Sequence, residues 1–285
     1  MLVTGNPFEI RTALREEYLK GRTIGFVPTM GALHAGHGAL IARSAAENDV
    51  TVVSIYVNPT QFGPNEDLAK YPRTLEADLE ICRTMGATYI FTPTDATMYP
   101  DGREGFEVQM GLRSMDRYMD GAKRPGHFNG VLLVVARLFN IVQPTRAYFG
   151  KKDFQQLSIL QAMNREFFFP IEIVPCDIVR EADGLAMSSR NRYLNPEERL
   201  QALYLSRCLK LVQERALEGA NAAELMHIAE ELAPEYSLIR LEYLEIRKAR
   251  DLSLCETIHA ADQPVALIAA FCGSTRLIDN AMIFS

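Results

Sequence analysis

Residues 23–37 read TIGFVPTMGALHAGH and residues 50–57 read VTVVSIYV. The apolar run TIGFV stops at the Pro28-Thr29-Met30-Gly31 turn, and a helical pattern follows through Leu40, Ile41, Ala45 and Ala46, so the segment reads strand, loop, helix. The β-branched run 50–57 is too apolar on both faces for a half-exposed strand, which predicts a parallel sheet covered by helices. The alternation continues. The pattern predicts helix over 74–85, strand over 88–91, helix over 128–142 with apolar residues at 128, 131, 132, 135, 138, 139 and 142, strand over 147–149, helix over 153–168 and strand over 171–179. Parallel neighbours need crossover helices, so residues 1–178 are expected to form an α/β, doubly wound parallel-sheet (Rossmann-like) N-terminal domain.

After Val179 the chain changes character. A polar stretch, READGLAMSSRN (180–191), leads to an N-cap signal at Asn195-Pro196-Glu197-Glu198 and a long helix to about residue 218. A helix over 222–232 and extended runs at 239–246 and 265–271 follow. Helices before strands predict a smaller α+β C-terminal domain over 179–285.

Of the 285 residues, 48% are hydrophobic and 23% charged, which supports a buried core and excludes a disordered or fibrous chain. Thirty Lys plus Arg against 36 Asp plus Glu leave a net charge of −6, which argues against a broad electrostatic grip on nucleic acid or an anionic bilayer. No apolar run approaches the roughly 20 residues of a membrane span, and the N-terminus lacks a signal-peptide pattern, so a cytoplasmic protein acting on small molecules is expected. The five cysteines, Cys82, Cys176, Cys208, Cys255 and Cys272, never form a C-x-x-C pair, which fits reduced, buried thiols.

In an open parallel sheet, ligands bind beyond the carboxyl ends of the strands. The loop after the first strand of the pattern places His34 and His37 at the start of a helix, whose unpaired N–H groups and partial positive charge suit phosphate oxygens. It contains neither G-x-G-x-x-G nor a P-loop, since His37 stands where the P-loop lysine would be. Ordinary first-turn histidines are the bland alternative, and no nearby Cys or acidic residue completes a zinc set. A second loop, Gly150-Lys151-Lys152-Asp153-Phe154-Gln155-Gln156, also opens a helix and brings cations, or is a solvated lysine pair. Met187-Ser188-Ser189-Arg190-Asn191 offers two hydroxyls and a guanidinium suited to a polyphosphate, or is a polar linker. The amides of Asn58-Pro59-Thr60-Gln61-Phe62 suit a carboxylate or hydroxyl without adding charge, or form an Asx turn.

Taken together, VPTMGALHAGH (27–37), VNPTQF (57–62), YPRT (71–74), RPGHFNGV (124–131), FGKKDFQQL (149–157), DGLAMSSRNRYL (183–194) and RLIDN (276–280) make the chain resemble the pantoate–β-alanine ligase (pantothenate synthetase) family along essentially its whole length. The H-x-G-H element alone also occurs in other nucleotidyltransferases and class I aminoacyl-tRNA synthetases. The resemblance implies an ATP-dependent ligase that joins (R)-pantoate to β-alanine through a pantoyl-adenylate, releasing pyrophosphate and AMP, with Mg2+ accompanying ATP and no protein metal site. It implies a homodimer formed through the first domain. It assigns ATP contacts to Met30, Gly31, Ala32, Leu33, His34, Ala35, Gly36, His37, Gly150, Lys151, Lys152, Asp153, Val179, Met187, Ser188, Ser189 and Arg190. Gln61 and Gln156 correspond to substrate contacts, His37 to a general acid, and His34 and Lys152 to phosphate-binding catalytic partners. Closure of the 179–285 domain would exclude water. Lys151, where the family often has Glu or Gln, and Asp177, where Pro is common, depart from the pattern. Two rivals share these motifs: a nucleotidyltransferase that stops at an adenylylated product, and a non-catalytic nucleotide sensor.

Overall fold

The structure, a computed structural model, describes residues 1–64, 66–102 and 105–284. It divides into two compact units, Met1–Gly150 with Ile159–Asp177, and Lys151–Ser158 with Ile178–Ser285. In chain order the elements are β1 (Leu2–Thr4), α1 (Pro7–Leu19), β2 (Ile24–Thr29), α2 (Ala35–Glu47), β3 (Val50–Ile55), α3 (Leu75–Thr84), β4 (Tyr89–Phe91), α4 (Asp95–Met98), α5 (Met119–Lys123), α6 (His127–Val142), β5 (Arg146–Gly150), α7 (Phe154–Glu166) and β6 (Glu172–Cys176). There follow α8 (Pro196–Gln201), α9 (Tyr204–Leu217), α10 (Ala222–Leu232), β7 (Ile239–Lys248), β8 (Pro264–Cys272) and β9 (Thr275–Met282).

In the first unit six strands run parallel in the order β1-β4-β3-β2-β5-β6. The chain moves from β2 to β3 and β4 on one side, then returns to place β5 against the other edge of β2. That reversal makes the carboxyl ends of β2 and β5 the switch point, where a doubly wound sheet opens a crevice. Residues Val50–Ser54 of β3 are all buried, as the doubly apolar run requires of a strand covered on both faces. Helix α2 lies on β2, β3 and β5, and α6 packs with α1 and β2. Val27, Ile41, Val53, Ile90 and Tyr148 join one cluster with no exposed surface. Burial of such a side chain contributes about 1.5–3 kcal/mol, an upper figure set against an extended chain.

Helix α6 is buried on almost every face, and its Gly130 meets the 3₁₀ turn Pro59–Gln61 so closely that a Cβ would overlap the Thr60 carbonyl. A glycine is needed there because backbone touches backbone. All five cysteines are free and buried, and burial pushes the Cys82 and Cys208 thiols up to about 12.

In the second unit β7, β8 and β9 form an antiparallel sheet covered by α9 and α10. Tyr204, Cys208, Val212, Leu225, Ile246 and Ile268 fill the layer between. The sequence predicts one helix from 195 to 218; instead α8 and α9 are separated at Ala202-Leu203. There Leu203 N reaches Leu200 O at 3.3 Å and Leu205 N reaches Ala202 O at 3.4 Å, a tightened turn that buries Ala202, Leu203 and Tyr204 together. Lys151–Ser158 groups with this unit, whereas the sequence boundary at 178/179 leaves it in the first. Hydrogen bonds from Asn280 on β9 to the carbonyls of Lys151 and Lys152 tie the start of this segment to the second unit. Among the described residues, no helix is long and apolar enough to cross a membrane.

Gly130→Ala is expected to destabilise the protein by about 1–3 kcal/mol, because neither the helix backbone nor the Thr60 carbonyl is free to move aside. Urea unfolding followed by circular dichroism measures it, and a loss near zero would show that the turn gives way.

Candidate active site

The loop leaving β2 is held from below. Thr29 Oγ1 donates to the Ser54 carbonyl on β3 at 2.7 Å and accepts from Gly31 N at 3.2 Å. Gly31 and Ala32 both adopt positive φ, 80° and 51°, which turns the backbone sharply and aims successive N–H groups the same way. Those of Ala32 and Leu33 meet the two oxygens of Asp78, at 3.0 and 2.8 Å, and Thr74 Oγ1 adds a third donor at 3.1 Å. Asp78 is fully buried on α3. A Cβ on Gly31 would lie 3.0 Å from Asp78 Oδ2 and 3.1 Å from Ile55, so this position is restricted twice, by conformation and by space.

This loop delivers His34 to the N-cap of α2. His34 Nδ1 accepts from Gly36 N at 3.1 Å, and His37 Nδ1 accepts from His34 N at 3.4 Å, a reciprocal capping box built from two imidazoles. The rings sit 4.2 Å apart, tilted by 45°. An Nδ1 that accepts a backbone N–H carries no proton of its own, so each neutral ring holds its proton on Nε2 as a donor.

Gln61 lies beside this loop, its Nε2 3.1 Å from Met30 Sδ. Its orientation is set by Asn58, which is buried. The Gly130 carbonyl can only accept, so the Asn58 amide nitrogen faces it and Gln61 Oε1, at 3.2 and 3.0 Å, and Asn58 Oδ1 accepts from Tyr99 OH and Thr60 Oγ1, at 2.7 and 3.0 Å. Gln61 is left presenting its N–H donors toward Met30. The Gln61 carbonyl is also fixed. Arg124 can only donate, so His127 Nε2 accepts from Arg124 Nη1 at 2.9 Å and Nδ1–H donates to Gln61 O at 2.7 Å. Arg124 is itself gripped by Glu66 through two contacts of 2.7 Å. Burial, then the charge of Arg124, lowers the His127 pKa to about 4, so this ring is neutral at physiological pH.

The first unit therefore carries Met30 to His37, Gln61 and Gly150, with Gly150 at the end of β5 next to β2. The second carries Lys151, Lys152, Asp153, Gln156, Val179 and Met187 to Arg190. Lys151–Asp153 form a 3₁₀ turn, with Lys152 Nζ 3.9 Å from Asp153 Oδ1. Val179 and Met187 close a hairpin through Met187 N to Val179 O at 3.0 Å, and Ser188 caps the 3₁₀ segment Ser189–Tyr193 by accepting from Arg190 N.

Sequence reasoning leaves out Asp78, Tyr99 and His127 as supports of this region, and reads Asn58 as a ligand-facing amide or an Asx turn where the structure makes it the buried residue that orients Gln61. Asp78 has a signal in hindsight: it shares the buried stripe of α3 with Cys82, one turn on, where a carboxylate is out of place without partners. Tyr99 has none, because its approach to Asn58 spans a separation of 41 residues.

Asp78→Ala is expected to destabilise the fold through two orphaned N–H groups at about 1–3 kcal/mol each, and Asp78→Asn by less, since one acceptor remains. Denaturant midpoints of both variants test this; equal, negligible losses would show that the loop holds its shape without the carboxylate. For His127, the folded pKa lies below the ordinary 6.5, so its contribution is fully present above pH 6.5 and lost as pH falls toward 4. In that window it adds a slope approaching about 1.4 kcal/mol per pH unit. His127→Gln should flatten the stability profile there, as read from urea unfolding across the window.

Comparison with known proteins fits this geometry. The family model described as pantoate-beta-alanine ligase matches residues 3–282. The pantothenate synthetase of Bacteroides fragilis is 48% identical over 262 residues, covering 92% of this chain and 91% of its own, and that of a Sulfurihydrogenibium species is 44% identical over 282 residues, covering 98% and 99%. The crystal structure of pantothenate synthetase from Thermus thermophilus superposes with a TM-score of 0.93 at 42% identity, covering both chains fully. The Francisella tularensis pantoate-beta-alanine ligase, solved with a β,γ form of ATP and β-alanine, reaches 0.82 at 32% identity over 100% of this chain and 98% of its own. With the histidine-capped helix at the switch point and relatives matched end to end, the chain belongs to the pantoate–β-alanine ligase family.

Proposed function

We propose that this protein condenses (R)-pantoate with β-alanine at the expense of ATP, giving pantothenate, AMP and pyrophosphate through a pantoyl-adenylate. The observation that carries the reading is the pair of imidazoles capping α2, each with Nδ1 taken by a backbone N–H and Nε2 as the donor. Two such donors at a helix N-terminus suit phosphate oxygens.

In the first step a pantoate carboxylate oxygen attacks the α-phosphorus of ATP, a P–O bond forms, and the bond to the pyrophosphate oxygen breaks. Two anions meet there, so the reaction depends on donors and cations that cover the developing charge. We assign this cover to His34, His37, Lys152 and Arg190, with Met30 to Leu33, Ala35, Gly36, Gly150, Lys151, Asp153, Val179, Met187, Ser188 and Ser189 as the remaining ATP contacts. His37 is the general acid. To deliver a proton its ring must take a second one at Nδ1, and the 3.4 Å bond from His34 N is given up more readily than the 3.1 Å bond that holds His34. Gln61 and Gln156 bind pantoate. The inward N–H groups of Gln61, fixed by Asn58 and His127, match hydroxyl or carboxylate oxygens without adding charge. In the second step the amine of β-alanine attacks the acyl carbonyl, an amide bond forms and AMP leaves; positioning and exclusion of water carry this step, since hydrolysis would discard the intermediate.

Mg2+ enters with ATP as part of the substrate. Such an ion keeps several waters and is held by phosphate oxygens with one or two carboxylates. A homodimer formed through the first unit and a cytoplasmic location complete the reading.

Purified protein supplied with pantoate and Mg-ATP is expected to release pantothenate and AMP only when β-alanine is added, as followed by chromatography. A stable adenylylated product would replace the ligase reading with that of a nucleotidyltransferase. His37→Ala and Lys152→Ala should each lower turnover by a factor on the order of 10² while keeping the wild-type circular dichroism. Near-normal turnover in both would remove them from the mechanism.

A further inference from the structure

The RLIDN segment, residues 276–280, is shared with the family motifs yet supplies none of the assigned contacts. We infer that Asn280 is a positioning residue that aims the Lys152 ammonium by holding the backbone of the Lys151–Lys152 turn, and that Asp279 beside it fixes the Val179–Met187 hairpin from the same strand. The inference rests on the reading above, in which Lys152 and that hairpin meet ATP.

Three observations within the second unit carry it. First, Asn280 is 5% exposed and its amide nitrogen has two hydrogens, one for each of two carbonyls: Lys151 O at 2.9 Å and Lys152 O at 2.7 Å. Successive carbonyls held by one amide group fix the two peptide planes on either side of the Lys152 Cα, and with them the direction in which the Lys152 side chain leaves the backbone. Second, Asp279 grips Arg180 with both oxygens, Oδ2 to Nη1 at 2.6 Å and Oδ1 to Nη2 at 3.0 Å, and Oδ1 also accepts from Asn280 N at 2.8 Å. Arg180 in turn donates to Gly184 O at 3.1 Å inside the hairpin that Val179 and Met187 close. Third, the residues that do the holding stand on rigid backbone: β9 pairs with β8 without a break from Thr275 to Met282, with Ile268 opposite Asp279 and Leu267 opposite Asn280. A lysine is a point charge on a four-carbon stem, so its placement depends on the backbone that carries it.

The test is a double-mutant cycle on the full-length enzyme, read as steady-state pyrophosphate release on pantoate, β-alanine and Mg-ATP. Asn280→Asp keeps the shape but offers carboxylate oxygens to the two carbonyls, and Asn280→Ala removes the amide. Each is expected to lower kcat/KM for ATP by a factor on the order of 10 to 100 in the wild-type background, and to cost almost nothing further when Lys152 is already Ala, because Asn280 then has no ammonium to place. A structural role would instead give the same factor in both backgrounds, and that additivity overturns the inference. So would wild-type kinetics in Asn280→Ala, or loss of the native circular dichroism in both Asn280 variants. If Lys152→Ala alone retains normal turnover, it is the underlying assignment of Lys152 that fails, a result distinct from additivity in the cycle.

Discussion

A buried carboxylate sets the shape of the β2–α2 loop. Asp78 takes the N–H groups of Ala32 and Leu33 on its two oxygens, and only a backbone turned through positive φ at Gly31 and Ala32 can aim both at one side chain. That turn arranges the rest of the first unit's site. His34 becomes the cap of α2, the two imidazoles lock their Nδ1 atoms on backbone N–H groups, and each ring is a donor on Nε2. A carboxyl group in the interior usually signals either a site of chemistry or a costly support. Asp78 is the second kind, since its two oxygens are occupied by three hydrogen bonds from the protein itself.

The Gln61 side of the site obeys the same logic with neutral groups. Asn58 must turn its nitrogen to the Gly130 carbonyl, which can only accept, and so toward Gln61, and His127 is forced into one tautomer by an arginine that cannot accept. Each polar group in this chain of contacts has its role dictated by a neighbour that has no alternative. In the proposed reading such preorganisation keeps the Gln61 donors aimed at pantoate without reorganisation during reaction, which is where enzymes gain most of their electrostatic advantage. It also explains why His127 carries no charge despite three nearby ionisable groups: burial and Arg124 together outweigh Asp120 and Glu66.

In the second unit the support comes from a β-strand. The turn that bears Lys151 and Lys152 is tied to β9 by Asn280, and the hairpin that bears Val179 and Met187 is tied to the same strand through Asp279 and Arg180. A short 3₁₀ turn and a hairpin thus take their placement from adjacent residues of a sheet, whose backbone pairing leaves few alternatives.

Sequence alone determined the class of the fold, because its signals are local. The doubly apolar run 50–57 and the helical spacing over 128–142 can be satisfied only by covered parallel strands and a buried helix, and β3 and α6 occupy those stretches, with β3 ending at Ile55. The H-x-G-H loop was legible too, since both histidines lie within one helical turn. Tertiary structure alone decided what supports them. The contacts of Asp78 with Ala32 and Leu33, Tyr99 with Asn58, His127 with the Gln61 carbonyl and Asn280 with Lys151 and Lys152 join residues 45 or more, 41, 66 and 128 or more positions apart, and no periodicity encodes which distant donor will meet which acceptor. The break between α8 and α9 belongs here as well: helical propensity runs through Ala202-Leu203, and burying those side chains beside Tyr204 outweighs it. Local patterns specify elements because backbone hydrogen bonding is local, whereas a site is assembled by packing, which is not.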